Sequence, residues 1–315
     1  LTMAGELVTI GSHALDSAGY DLLALLTGSE GMLGVIVEVT VKLLPLPEMT
    51  QVVMVAFDDI ERAGQAVAEI IAQGLIPAGL EMMDKATIKA AEDFVHAGYP
   101  EYAEAILLCE LDGSAEQVEQ ELQQVSAILY QQGAVEVRVA SSEQERQKMW
   151  AGRKSAFPAV GRISPDYYCM DGTIPRRYLA KVLKQIAKLS KQYGLLVANV
   201  FHAGDGNLHP LILYNADNEG EMERAEQLGG DILKLSVDVG GTITGEHGVG
   251  VEKINYMCYQ FSENELQLFH AVKQAFDAKG LLNPGKAVPT LHRCAEFGAM
   301  HVHDGQLPHP ELERF

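Results

Sequence analysis

Basic residues are scarce in this chain. Twenty-four Lys and Arg stand against 43 Asp and Glu, a formal charge of −19, and so acidic a surface argues against nucleic acid or anionic lipid as a partner. Any anionic small molecule must then be met by local positive charge. Cysteine is sparse too: Cys109, Cys169, Cys258 and Cys294 are far apart and form no CxxC, which excludes a disulfide scaffold and points to a reducing, cytoplasmic setting. No run of about 18 apolar residues is present to cross a bilayer, and no basic-then-apolar leader opens the chain. The first residue is Leu1 and the opening stretch reads as interior sequence, so a longer parent polypeptide is expected. Low-complexity segments are missing, and so is the G-x-G-x-x-G order of a dinucleotide fingerprint.

What is present is a chain of 315 residues, long enough for a sizeable core and more than one domain. Its most informative stretch is His202-Ala-Gly-Asp-Gly-Asn-Leu-His209, read with Gly245-Glu246-His247-Gly248. Residues 195–202 and 208–214 are rich in strand formers and enclose a Gly-Asp-Gly-Asn turn cluster, which is a hairpin pattern. With Gly204 to Asn207 as the loop, Ala203 pairs with Leu208 and His202 faces His209, their Cβ atoms roughly 4.5 to 5.5 Å apart. Two imidazoles at that spacing can hold one cation. Glu246 would complete three protein ligands for zinc or another first-row metal and leave a position open for water or substrate. Adjacent residues of an extended segment point opposite ways, so His247 would face another group, where it can move a proton near neutral pH.

Upstream, Thr27-Gly-Ser-Glu-Gly-Met-Leu-Gly34 precedes a β-branched run from Val35 to Leu44 that reads as a strand. Its glycines allow close backbone approach, and its amides could hold a phosphate. Taken alone, it reads equally well as a bulge or tight turn with no ligand. Pro45-Leu-Pro47 ends the strand and marks a boundary.

From residue 51 strands and amphipathic helices alternate: strands at 51–57, 78–83, 104–111 and 134–140, helices at 60–73, 84–97 and 114–132. The order predicts an α+β domain of ferredoxin-like topology with helices over one face of its sheet. Ser114 and Ser142 open helices with capping-box spacing. The helix from Ser142 carries Arg153, whose planar fork suits a substrate carboxylate, although a solvated arginine reads the same way. A strand at 167–174, a helix at 175–193 with Pro175 at its first position, and a helix at 219–238 follow. The last clear helix begins at Ser262 and ends at Gly280, before Leu281-Leu-Asn-Pro-Gly-Lys286. That turn could present Asn283 and Lys286 to a ligand, or be an ordinary helix exit. The tail, with His292, Cys294, His301, His303 and His309, reads as a loosely packed terminus. The two halves of the α+β region echo each other weakly.

Gly28-Ser-Glu-Gly31 with Leu33-Gly34-Val35-Ile36, the His202 to His209 stretch, Gly245 to Gly248 and Leu282 to Lys286 together resemble FAD-linked 2-hydroxy-acid dehydrogenases of the vanillyl-alcohol oxidase type. The resemblance covers the whole chain, including the Pro-Glu-Leu-Glu-Arg-Phe315 ending, and within that family it is nearest to bacterial glycolate oxidase catalytic subunits, with D-lactate and D-2-hydroxyglutarate dehydrogenases as near relatives. It implies that residues 1–48 end an FAD-binding domain, that 49–280 form the substrate or cap domain, and that 281–315 hold a flavin-proximal turn and a tail. Gly28, Ser29, Gly31, Gly34, Val35, Ile36 and Asn283 would lie on the flavin. His202, His209 and Glu246 would hold a divalent metal (zinc, with iron(II) or manganese as alternatives), His247 would be the base, and Asn207 and Arg153 would bind substrate. The reaction implied is oxidation of glycolate or D-lactate to the 2-oxo acid, with hydride passing to FAD. The family's segment that cradles the FAD pyrophosphate would lie upstream of Leu1, so weak flavin binding by this chain alone is expected. A second FAD-type subunit and an iron-sulfur subunit are the implied partners, at or near the inner membrane face. The residues also admit two rivals, a zinc-dependent hydrolase on the same three ligands and a non-catalytic assembly module.

Overall fold

A computed structural model describes residues 1–14 and 19–290. It divides into two compact units, Pro45–Glu246 and a second made of Leu1–Leu44 with the chain from His247 onward. The elements are α1 (Leu22–Leu26), β1 (Met49–Phe57), α2 (Ile60–Ala72), β2 (Gly79–Asp84), α3 (Lys85–Val95), β3 (Ala105–Gly113), α4 (Ala115–Gln131) and β4 (Glu136–Val139). There follow α5 (Glu143–Lys154), α6 (Ala156–Val160), β5 (Asp166–Cys169), β6 (Gly172–Thr173), α7 (Leu179–Tyr193), β7 (Val197–Phe201), β8 (Asn207–Leu208), β9 (Pro210–Tyr214), α8 (Glu221–Asp238), α9 (Ile254–Gln260) and α10 (Glu263–Phe276). The sequence reading of residues 291–315 lies outside the described residues.

In the Pro45–Glu246 unit, a seven-stranded sheet runs in the order β4-β1-β3-β2-β7-β9-β5, every ladder antiparallel. Strand β1 is buried on both faces because its side chains alternate between two cores: Val53, Val55 and Phe57 enter one, Val52, Met54 and Ala56 the other. The first core is closed by α2, α4, α7 and α8. The second is closed by α3, α5 and α6. The order β4-β1-β3-β2, with α2 and α4 on one face, is the expected ferredoxin-like arrangement. Helices over a single face are not what forms, because β1, β2 and β3 are apolar on both sides and each side needs a cover.

The weak sequence echo is a structural repeat. Strands β5, β9 and β7 lie side by side as β1, β3 and β2 do. Helix α7 follows β5 and α8 follows β9, as α2 follows β1 and α4 follows β3, and all four pack on the same face. The halves join edge to edge through β2 and β7, where Met82 pairs with Phe201 and Met83 with Val200. Asp84 fastens this seam. Its Oδ1 accepts from the Thr87 backbone N–H at 3.0 Å and caps α3, while its Oδ2 accepts from the backbone N–H and Nδ2 of Asn199, both at 2.8 Å. Burial pushes the Asp84 carboxyl above its usual range, against the pull of those donors. Asp84→Ala removes a helix cap and strands buried donors, so a loss of about 2 to 4 kcal/mol is expected in urea unfolding.

In the other unit, the run from Val35 to Leu44 forms no strand. Beyond the Val35 amide, which donates to the Leu1 carbonyl at 3.1 Å, it finds no ladder partner among the described residues, and Val37, Val39 and Val41 are exposed. Strand propensity cannot act without a neighbour to accept its hydrogen bonds. Helix α9 was not foreseen. Contacts group the chain after Glu246 with Leu1–Leu44. The exit from α10 is fixed by Asp277, buried to 1% exposure. It receives Lys273 Nζ at 2.6 Å and the Leu281 and Leu282 amides at 3.1 and 2.7 Å. Burial alone would raise its carboxyl, but the ammonium and the two amides outweigh that and hold it at about 2. A depressed carboxylate stabilises the fold above its ordinary pKa of 3.8 and loses that contribution as pH falls through about 2. The stability gap between the native chain and Asp277→Asn should therefore shrink as pH is lowered from about 4 to about 2, read by thermal melting across that window.

Candidate metal centre

The turn that carries the site is set by ladder register. Val197 pairs with Ile212, Ala198 with Leu211, Asn199 with Pro210, and His202 with Asn207. The loop is therefore residues 203–206, and His202 sits opposite Asn207 where the sequence reading put His209. Two features select this register. Gly206 takes a left-handed φ of +74° that a side chain resists, and Asn207 and Leu208 pair with Thr173 and Gly172 of β6. A slip of two residues leaves side chains on the same face. His202 and His209 thus still meet, now diagonally, with ring centroids 5.1 Å apart and planes at 81°.

The expected strand at 167–174 splits because its two ends take different partners, β5 with β9 and β6 with β8. Asp171, wholly buried, occupies the break. Its Oδ2 accepts the Gly245 and Glu246 amides at 2.8 and 2.7 Å, which anchors the backbone that carries Glu246. Gly245 lies so close to the Asn207 carboxamide that a Cβ there would stand 2.1 Å from Oδ1.

These constraints bring His202, His209 and Glu246 together. Glu246 Oε1 is 2.9 Å from His209 Nε2 and 3.5 Å from His202 Nε2, and one ligand atom from each lies within 4.8 Å of the others. His209 is buried, while the Glu246 side chain is about half exposed. The donor set of two imidazoles and one carboxylate, with an open side at Glu246, fits a divalent transition metal with room for exogenous oxygen ligands. Asn207 stands beside it, 7% exposed, its Oδ1 buried without a hydrogen-bond partner among the described residues.

Glu81, which sequence reasoning did not single out, stands behind His202. Its Oε1 is 2.8 Å from His202 Nδ1. Its Oε2 accepts from Arg153 Nε and Nη2, each at 2.9 Å. The hydrogen bond that Glu81 accepts from the His202 imidazole holds that ring above its ordinary pKa, against partial burial. Arg153, expected as the counter-charge of a substrate carboxylate, is itself buried and turned to Glu81. The available signal was a carboxylate inside the apolar run Leu80-Glu81-Met82-Met83.

In the second unit, three of the segments singled out in the sequence gather around another unremarked acid, Glu30. Its carboxylate accepts the Val249 and Gly250 amides at 2.7 and 2.9 Å, and its carbonyl accepts Asn283 Nδ2 at 2.6 Å. The Gly28 turn, the His247-Gly248 segment and the Asn283 turn are thereby neighbours. Gly28 and Gly31 have φ of +75° and +72°, and a Cβ built on either would meet nothing within 4 Å. Gly34 is buried against the Leu1 carbonyl, whereas Val35, Ile36 and His247 are exposed.

Residues 46–287 match the profile of the family described as FAD linked oxidases, C-terminal domain. This chain belongs to that family. Glycolate oxidase subunit GlcD of Escherichia coli K12 is 67% identical to it over 314 residues, a match that covers 100% of this chain and 63% of that protein. GlcD of Bacillus subtilis is 40% identical over 90% of this chain and 60% of its own length. D-lactate dehydrogenase of Anaerostipes hadrus is 32% identical over 90% and 61%. This FAD linked oxidase chain thus spans about three-fifths of the length of these three relatives. Among solved structures, p-cresol methylhydroxylase with substrate bound superposes with a TM-score of 0.61 at 15% identity, covering 79% of this chain and 54% of that one. Alkyldihydroxyacetonephosphate synthase gives 0.58 at 17% identity, over 85% and 51%. At such identities these two likenesses establish the shared FAD-oxidase fold alone.

Proposed function

We propose that this chain forms the substrate side of an FAD-dependent dehydrogenase that oxidises a small 2-hydroxy acid, glycolate or D-lactate, to its 2-oxo acid. The observation that carries the reading is the convergence of His202 Nε2, His209 Nε2 and Glu246 Oε1 within an FAD linked oxidase domain. A bound divalent ion would supply Lewis acidity to the substrate oxygens, and bound FAD a hydride acceptor. His202, His209 and Glu246 hold the ion, with zinc, iron(II) or manganese all suited to the donor set. The unpartnered Asn207 Oδ1 orients the bound acid. His247 removes the hydroxyl proton, and its grouping with the Gly28 and Asn283 turns around Glu30 supports a base beside the flavin. Gly28, Ser29, Gly31, Gly34, Val35, Ile36 and Asn283 are the flavin-facing positions in this reading.

Glycolate and D-lactate differ by one methyl, worth only about 1 to 3 kcal/mol in a pocket, so both belong to the proposed substrate class. The name of the GlcD relatives, a subunit, supports partner subunits; in this reading they are a second FAD-type subunit and an iron-sulfur subunit. Among the described residues no helix is long and apolar enough to cross a membrane; a place at the inner membrane face, reached through partner subunits, belongs to the same reading.

The test is anaerobic flavin bleaching by glycolate and by D-lactate in the polypeptide that carries this chain, together with elemental analysis. Bleaching that disappears in His247→Asn, with about one metal ion per chain retained, is the expected result. Metal present with ester or amide hydrolysis and no bleaching would replace this reading by the zinc-hydrolase alternative. Neither metal nor bleaching would leave an assembly module.

A further inference from the structure

We propose that Glu81 and Arg153 form a positioning relay that presets His202 as a metal ligand, an inference that rests on the metal-centre reading above. The geometry divides the work of the Glu81 carboxylate between its two oxygens. Oε2 takes both Nε and Nη2 of Arg153 at 2.9 Å, and Oε1 lies 2.8 Å from His202 Nδ1. An ionised carboxylate only accepts, so Nδ1 carries the imidazole proton. The lone pair then sits on Nε2, the nitrogen that faces Glu246. The tautomer and the ring orientation that a metal requires are thus fixed before any ion arrives.

Position in the fold makes the relay rigid. Met82 pairs with Phe201 and Met83 with Val200, so the same register sets Glu81 opposite His202 at the seam between the two repeats. Arg153 comes from α5, on a third segment of chain. Glu81 is 8% and Arg153 7% exposed, and two charges so removed from water are held only if each satisfies the other. A buried pair serving stability alone would not need to offer its second oxygen to a metal-ligating histidine. Arg153 accordingly acts through Glu81 and His202, behind the ligand, where the sequence reading had placed it on the substrate.

The experiment uses the purified polypeptide that carries this chain and needs no turnover. Imidazole 15N chemical shifts of the metal-free protein at alkaline pH report the His202 tautomer, and Co(II) titration, followed by its visible absorption, reports affinity. Native protein is expected to hold His202 with the proton on Nδ1. Glu81→Gln is expected to give a mixture of tautomers and a Co(II) affinity about 10- to 100-fold weaker. Should the lone Arg153 charge prevent Glu81→Gln from folding, Glu81→Gln with Arg153→Met removes both charges and answers the same question. Glu81→Asp, which restores the carboxylate, should recover part of the affinity. Unchanged Co(II) affinity and tautomer in the folded variants would overturn the relay while leaving the metal centre intact. If native protein shows the Nδ1–H tautomer yet binds no Co(II), the metal centre fails and the relay falls with it.

Discussion

His209→Ala is expected to abolish retention of a divalent ion. Its Nε2 is 2.9 Å from Glu246 Oε1, and its side chain is buried. If the ion is bound with about 10 kcal/mol and three protein ligands share that energy, losing one costs roughly 3 kcal/mol, or about two orders of magnitude in affinity. Because His209 is buried, alanine also leaves a cavity, so the fold must be checked by circular dichroism. Glu246→Gln separates the two effects. That side chain is about half exposed, and the change removes an anionic ligand without opening the core. Both variants should emerge from dialysis with metal content near zero by mass spectrometry. Native-like metal content in both would sink the assignment of this centre.

Gly206→Ala is the second large effect, and it acts on shape where the first acts on chemistry. A Cβ on Gly206 would stand 2.2 Å from the Ile174 carbonyl oxygen, and its φ is +74°. The left-handed conformation costs an alanine about 1 to 2 kcal/mol. The obstacle is backbone whose partner strand also carries the Ile174 N–H donated to Gly206 O at 2.9 Å, so a repacking cost of about 1 to 3 kcal/mol adds to it. A total loss of about 2 to 5 kcal/mol is expected in urea unfolding. Gly194→Ala is the control. It ends α7 at φ +68°, but nothing lies within 4 Å of its Cβ position, so only the conformational cost should appear. Equal losses at the two glycines would show that the approach to Ile174 does not govern the turn. Since this turn sets the His202 register, Gly206→Ala should also weaken metal binding.

The register is where sequence and structure part most instructively. The strand-forming runs on either side of Gly204-Asp205-Gly206 made the hairpin legible, and their composition made His202 and His209 candidate ligands. The loop was placed one residue late, at 204–207, because nothing local says that Asn207 and Leu208 pair with Gly172 and Thr173. The error left the site readable, since a two-residue slip preserves the face on which a side chain lies. The run from Val35 to Leu44 fared differently. Its β-branched pattern is real, but a strand exists only with a partner, and no local pattern supplies one.

Sequence by itself determined most strands and helices of the Pro45–Glu246 unit, the ferredoxin-like order of the first half and the candidacy of His202, His209 and Glu246, because periodicity, turn chemistry and donor type are local properties. It also carried the family, through four short motifs in order. Tertiary structure alone decided what stands behind those residues. Glu81 and Asp171 precede the groups they hold by 121 residues (His202) and 75 residues (Glu246), and each looks in sequence like an isolated acid among apolar neighbours. Their roles arise from the seam between β2 and β7 and from the break between β5 and β6. A carboxylate's partner is set by which strands lie side by side, and that is fixed by the packing of the whole sheet.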